Sequence, residues 1–385
     1  MGSGRSETPP VEALEPPGGP EPRVDAEATV YRLYDVGYEI RLEVALERLS
    51  EYGAQRAGPV RGEAQALLIR NAPVSVSLGE EPLQVGELAC TVRFSARVFD
   101  FGAVSLRGHV AAPADLPWGR FTEFGNRVDV GIDWTSLLNR QRDRLLERLG
   151  PAIVRPSVSA VTEDYVVFRI HRLTSHGAPL PPERLSDEDV VLLLLNERRG
   201  LSAAARRELL PHRFSYYAED LTILTWDNAL VVEPSVHDTD VEFVLEFANA
   251  QLLELRLYDA LLDGEIPRML EGVARARSRP GLIFRRYARA LAGLHARIAD
   301  GTEVVERVEN ALKVTDDVYL ARVYSAALEI FRGREWRKGI DRKLAIIQDT
   351  YGMLNAEAQA ARSEALEVVI VILFLIDIAL VLWGR

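Results

Sequence analysis

Few residues in this chain have a type and spacing that could do chemistry. The six histidines (His109, His171, His176, His212, His237 and His295) are scattered. His171 and His176 stand five apart, which is not a metal-ligand spacing. His237-Asp238-Thr239-Asp240 could hold a cation, but Asp238 or Thr239 also suits the cap of a helix starting there, which is the reading taken. Asp100, Asp129, Asp133, Glu163, Asp164 and Asp227 offer carboxylates, yet no spacing orders them into an acid/base pair. A Gly-rich phosphate loop, GxSxG, HExxH and paired-cysteine zinc patterns are all missing. Cys90, the single cysteine, lies in a strand pattern and reads as a small buried hydrophobe. It excludes an internal disulfide framework and favours a reducing compartment. These residues predict a non-enzymatic protein with no catalytic centre, cofactor or metal.

The elements that would position any site follow from the patterning. The chain has 385 residues, 48% hydrophobic and 27% charged, as in soluble globular proteins of two or three domains. Its net charge of −11 disfavours nucleic acid, which needs a basic face to displace counterions. Residues 1–28, rich in Pro, Gly and Glu, predict a disordered tail. Residues 29–235 predict a mixed α/β head. Strands are expected at 29–34, 66–70, 74–78, 88–94, 96–99, 104–110, 165–170, 221–225 and 229–232, and helices at 38–49 and 135–149. Asp100-Phe101-Gly102 and Asp227-Asn228 read as turns, Ser186 with Asp189 as a helix cap, and 113–211 as a candidate insertion.

From Asp238 the pattern is helical, with expected helices at 239–262, 265–278, 281–299, 302–331 and 335–383. Residues 236–364 form a helical domain on this reading. Ile340, Leu344, Ile347, Tyr351, Leu354, Ala358, Ala361, Ala365 and Val368 make a heptad seam, so 302–331 and 335–365 are expected to pair as a coiled-coil-like hairpin joined at Gly333. Arg275, Arg277, Arg279, Arg285, Arg286, Arg289 and Arg297 read as a solvated face paired with acids, the alternative being contact with anionic headgroups.

From Val368 to Trp383 every residue is apolar except Asp377. Counted from Ala365 the segment would span about 28 Å as a helix, near the roughly 30 Å hydrocarbon core. The expectation is therefore a single transmembrane helix at 365–383, tail-anchoring the protein in the inner (cytoplasmic) membrane. Arg337, Lys338, Arg342, Lys343 and Arg362 just upstream would face lipid and keep the body cytoplasmic. Trp383 would anchor at the interface, and Asp377, with Glu367 nearby, would either reach that interface or contact another chain. Membrane lipid, further copies of the chain joined through the C-terminal helix, and an unidentified protein are the expected partners.

Several stretches resemble the family named for "required for meiotic nuclear division", also called YagE-like. Phe99-Asp-Phe-Gly-Ala-Val-Ser-Leu106 is similar to its F-x-Y/F-G-V-V-V-F strand. Phe247-Ala-Asn-Ala-Gln-Leu-Leu-Glu-Leu-Arg-Leu-Tyr258 resembles its A-x-A-Q-S-x-K-L-x-x-F-E helix. Leu366-Glu-Val-Val-Ile-Val-Ile-Leu-Phe-Leu-Ile-Asp377 is close to its terminal segment. The resemblance implies a membrane-anchored protein without established catalysis. The function expected is an oligomeric scaffold or adaptor presenting the head at the membrane. The alternatives are a transport or channel subunit with a CorA-like head, stalk and membrane layout, and a ligand-binding or enzymatic head.

Overall fold

The computed structural model describes residues 21–57, 71–197, 201–210, 212–234, 240–276 and 318–383. The strands are β1 (Arg23–Asp35), β2 (Gly37–Ile40), β3 (Gln55–Arg56), β4 (Val74–Val85), β5 (Leu88–Val98), β6 (Ala103–Ala111), β7 (Leu116–Pro117), β8 (Ile153–Pro156), β9 (Thr162–Ser175), β10 (Ala178–Pro179), β11 (His212–Phe214), β12 (Leu221–Leu224) and β13 (Asn228–Val232). The α-helices are α1 (Leu42–Arg48), α2 (Trp118–Val130), α3 (Trp134–Leu149), α4 (Asp187–Leu194), α5 (Ala203–Leu209), α6 (Asp240–Ala276), α7 (Val318–Ile330) and α8 (Gly333–Trp383).

The main sheet runs β11-β12-β13-β9-β1-β6-β5-β4-β3, with β10 on β9 and β7 on β1; β2 and β8 pair separately. Every ladder in the main sheet is antiparallel except β13 on β9, which is reached from β9 through α4 and α5. Side chains alternate across a strand. On β1, Ala26, Ala28 and Val30 face one core, with Phe121, Phe124 and Leu138 of α2 and α3. Tyr31 and Leu33 face the other, with Val244, Leu245 and Ala248 of α6 and Val323 and Ala327 of α7. The sheet is thus the middle of three layers.

The second face is unusual for a core because it is charged. Arg97 of β5, Arg107 of β6 and Arg169 of β9 are buried there, as are Glu27 of β1 and Glu242 and Glu246 of α6. Arg169 reaches Glu27 at 2.6 Å and Glu242 at 3.2 Å. Arg97 pairs with Glu246 and lies 4.7 Å from the centre of the Phe243 ring. Arg107 donates to Ser75 Oγ at 3.3 Å. Tyr324 of α7 donates to Gln251 of α6 at 2.5 Å, tying the two helices together.

Several expectations change. β1 begins at Arg23, inside the segment expected to be a disordered tail. Residues 113–211 are no insertion, because β9 pairs with β1 from Arg23 to Tyr34 at the centre of the sheet. Pro267 does not end α6: one missing N–H near the exposed end of a long helix is survivable. Among the described residues, the start of the heptad seam packs on α6: Ile340, Leu344 and Ile347 meet Leu255, Leu262 and Met269. The α7–α8 turn is made by Arg332, at φ 52°, rather than by Gly333. The expected strand at 66–70 and helix at 281–299 lie outside the described residues.

The largest correction concerns the C-terminus. Among the described residues, no helix is long and apolar enough to cross a membrane. The terminal transmembrane helix is therefore withdrawn, and with it the tail-anchored, single-pass reading. The apolar run of this segment is interrupted by Asp377 and preceded by Glu367, each costly to place in a bilayer core. It is the distal part of α8, whose side chains lie open. The fold class that stands is a mixed-sheet head followed by a helical region.

Removing one partner of a buried ion pair strands the other charge. Arg97→Ala is expected to lower the unfolding free energy by about 3–5 kcal/mol, whereas Arg97→Met with Glu246→Leu should cost far less. Urea denaturation of the three proteins checks this.

Candidate functional site

Below the charged layer, the sheet face ends at Asp35, the last residue of β1. Three connections converge there. The link from β1 to β2 turns through Gly37; the β5–β6 turn carries Asp100 and Phe101; Ser157 and Ser159 lead from β8 into β9. Their backbones lock together: Val36 N–H donates to Gly102 O and Ile40 N–H to Asp100 O, both at 2.9 Å, and Ser159 N–H donates to Asp35 O at 3.1 Å. Gly102 has φ 95°, and a Cβ there would fall 1.9 Å from Gly37 O, so this crossing admits only glycine.

Over these loops lies the middle of α6, and between them is a cavity of about 710 Å³. That is within the size range of small-molecule sites. Glu254 of α6 and Asp35 of β1 are buried at its wall. Asp100 Oδ2 accepts from Asn71 Nδ2 at 2.7 Å on the same wall. Leu257, Tyr258 and Leu261, on the following turns of α6, supply apolar surface.

Glu254 is the most perturbed acid here. Burial pushes its pKa up to about 8; the Asp35 charge adds to the rise, and a hydrogen bond from Tyr258 works against it. Glu254 Oε1 has no hydrogen-bond partner among the described residues. Glu163, at the start of β9, is also raised by burial, to about 7, although Arg256 holds it at 2.5 Å.

The structure disperses the acids noted in the sequence. Of the six, Asp100 alone lines the cavity. Asp133 caps α3 by accepting from Ser136 N–H at 3.0 Å. Asp164 pairs with Arg32 at 3.3 Å. Asp129 has its pKa raised by burial and then by the Asp227 charge. His109 bridges Thr29 Oγ1 at 3.0 Å and Ser95 Oγ at 3.1 Å within the sheet. His237 and Asp238 lie outside the described residues, and no three metal-donor side chains converge among those described.

The residues expected on the C-terminal helix are all on α8. Glu367, Asp377 and Trp383 are exposed, and so are Lys338 and Arg342. Lys343 is not a free basic group facing lipid: it bonds Asp259 and Asp263 of α6 at 2.6 Å each. Burial opposes its charge, but those two bonds outweigh burial and raise its pKa. Arg337 is half-buried and also engaged. The side chain of Arg362 lies outside the described set.

Asp35 and Glu254 were missed by sequence reasoning because they are 219 positions apart and each looks like an ordinary surface acid. One signal was available. Leu252, Leu253 and Leu255 enclose Glu254 in sequence, so this carboxylate falls on a turn that is apolar nearly all round.

A mixed sheet with helices on both faces and a long helical extension defines an α+β head domain. A family model described as the N-terminal domain of the uncharacterized protein MJ0711 matches residues 25–239, and the chain belongs to that family. The uncharacterized protein MJ0711 of Methanocaldococcus jannaschii is 27% identical over 190 residues, covering 49% of this chain and 58% of that protein. The chain thus spans a little over half the length of the curated relative it matches. No solved structure matches. These matches place the chain in an uncharacterized family and do not support the narrower YagE-like assignment.

An acid whose folded pKa exceeds its unfolded value keeps a proton that the unfolded chain releases. Its effect on stability is therefore a loss as pH rises from about 4.5 to about 8. Glu163 adds to the loss up to about 7. Between about pH 7 and 9 the melting temperature of the wild type is expected to fall, and that of Glu254→Gln to stay nearly level and end higher by several degrees. Thermal melts followed by circular dichroism test this.

Proposed function

We propose that the protein is a non-enzymatic scaffold that assembles with further copies of itself through the distal part of α8 and displays the mixed-sheet head around that stem. The observation that carries the reading is exposure. Val368 through Ile376 are each about half exposed or more, with Phe374 at 64% and Leu375 at 61%. An apolar surface of this extent on a folded chain marks an interaction site.

Self-association suits it better than one bound partner, because the apolar side chains surround the helix. A bundle of like helices covers several sides together. The proximal part of α8 is already occupied by α6 through Ile340 and Ile347. Beyond it, Val368, Ile372 and Leu375 continue the 4-3 spacing that such bundles use.

Sedimentation velocity at about 10 µM is the test. The full chain is expected to run as one discrete oligomer. Ile372→Glu with Leu375→Glu, both at exposed positions, should yield monomer with an unchanged circular dichroism spectrum. A wild-type chain that is monomeric, or that is monomeric and floats with phosphatidylcholine vesicles, would overturn the proposal.

A further inference from the structure

We propose that the cavity between the middle of α6 and the end of β1 binds a neutral polyhydroxy compound, a mono- or disaccharide, with one of its hydroxyl groups bonded to Glu254 in the wall. This goes beyond the scaffold reading and does not depend on it.

Glu254 marks the site. It lines the cavity, it is 2% exposed, and its Oε1 has no hydrogen-bond partner among the described residues. Leaving a buried polar atom unbonded is unfavourable, and native structures rarely keep one without a use. Tyr258, one turn along α6, already bonds the same carboxyl group, so a ligand need supply only what Oε1 lacks.

The protonation of Glu254 sets the chemistry of that partner. Burial keeps its proton on up to about pH 8. A protonated carboxyl donates through its O–H and accepts at its other oxygen, whereas an ionised one only accepts. A hydroxyl group both donates and accepts, so it satisfies Glu254 in either state. An ammonium group only donates, and would meet an O–H where it needs an acceptor. An anionic ligand fits no better. Among the described residues, acids outnumber arginines five to two in the wall, and both arginines are engaged. Arg41 donates to Pro151 O at 2.5 Å; Arg56 donates to Ala72 O at 2.8 Å and pairs with Glu43.

The rest of the wall mixes polar and apolar groups, as a sugar ring does. Asp100, held by Asn71 at 2.7 Å, and Ser157 offer hydrogen-bonding groups to further hydroxyls. Tyr38 and Leu261 offer apolar surface, against which the C–H face of a ring leaves water. The cavity, at about 710 Å³, lies within the roughly 300–1,000 Å³ of small-molecule sites. A bare metal ion fits poorly, since no three donor side chains converge among the described residues and the volume far exceeds one ion.

Saturation-transfer NMR of the full chain with glucose, galactose, mannose, N-acetylglucosamine, maltose and trehalose, each titrated separately, is the test. Saturable binding of at least one sugar is expected, with Kd of about 1 mM or lower. Glu254→Leu should weaken it at least about tenfold. Glu254→Gln, whose amide also donates and accepts, should stay within about threefold of the wild type. Tyr38→Ala, at a half-buried position of the wall, should weaken binding severalfold and supplies a second, independent loss. Glu219→Gln, at an exposed position on the β11–β12 loop, should leave it unchanged. Circular dichroism of each variant establishes that it is folded. Absence of saturable binding by all six sugars, equal affinity in Glu254→Leu, loss of binding in Glu254→Gln, or displacement of the bound sugar by putrescine would each overturn the proposal. Sedimentation run alongside keeps this result separate from the scaffold reading, because monomer that binds and oligomer that does not are distinct outcomes.

Discussion

The buried contact between the arginines of the sheet and the glutamates of α6 is the constraint on which the rest depends. A charge taken out of water is tolerated only beside its counterpart. Arg169 needs Glu27 and Glu242 together, and Arg97 needs Glu246. A slide of α6 by one turn, about 5.4 Å, would let one glutamate take the other's place and leave the remaining arginine without its partner on α6. Apolar surfaces tolerate such slides because their attraction has no direction. The charged layer therefore gives α6 a single register on the sheet, much as a polar core residue does in a coiled coil.

That register has a consequence two turns beyond Glu246. It brings Glu254 over the end of β1, where Asp35 stands and the sheet gives way to loops. The loops are held by backbone hydrogen bonds and by the close crossing of Gly102 and Gly37, so they cannot collapse upward to fill the space. A cavity with Asp35 and Glu254 in its wall is what remains. The same helix then continues to Leu262 and Met269, where it receives α8. One helix thus connects the head, the cavity and the stem, which makes the orientation of the exposed apolar end of α8 a property of the sheet contact.

Elements with a strong local signal were legible in the sequence. The β5–β6 turn at Asp100-Phe101-Gly102 and the Ser186 cap of α4 stand where turn and cap chemistry put them, while the β12–β13 turn ends at Asp227, since Asn228 already opens β13. β9 was read as a strand from 165–170, yet its surroundings were read as an insertion, because nothing local says that a strand reached after two helices will lie beside β1. Arg97, Arg107 and Arg169 were passed over for a related reason. An arginine at an alternate position of a strand ordinarily marks the solvent face, and only the glutamates of a helix more than seventy residues later make it a core residue. The cavity was less legible still, since Asp35 and Glu254 share no spacing at all. The distal α8 shows the opposite fault. Its apolar run was plain, and the inference drawn from it, a membrane span, went further than a run holding Glu367 and Asp377 supports.

By itself the sequence determined the local events: where strands alternate, where chains turn, where helices begin, and that the last part of α8 is apolar on every side. These depend on neighbours within a few residues, through φ/ψ preference, capping and periodicity. The tertiary structure alone decided which charges are buried, that Asp35 and Glu254 meet at one cavity, and that α6 receives the proximal part of α8. Those outcomes depend on desolvation, and a residue's solvent exposure is set by groups that approach from distant parts of the chain.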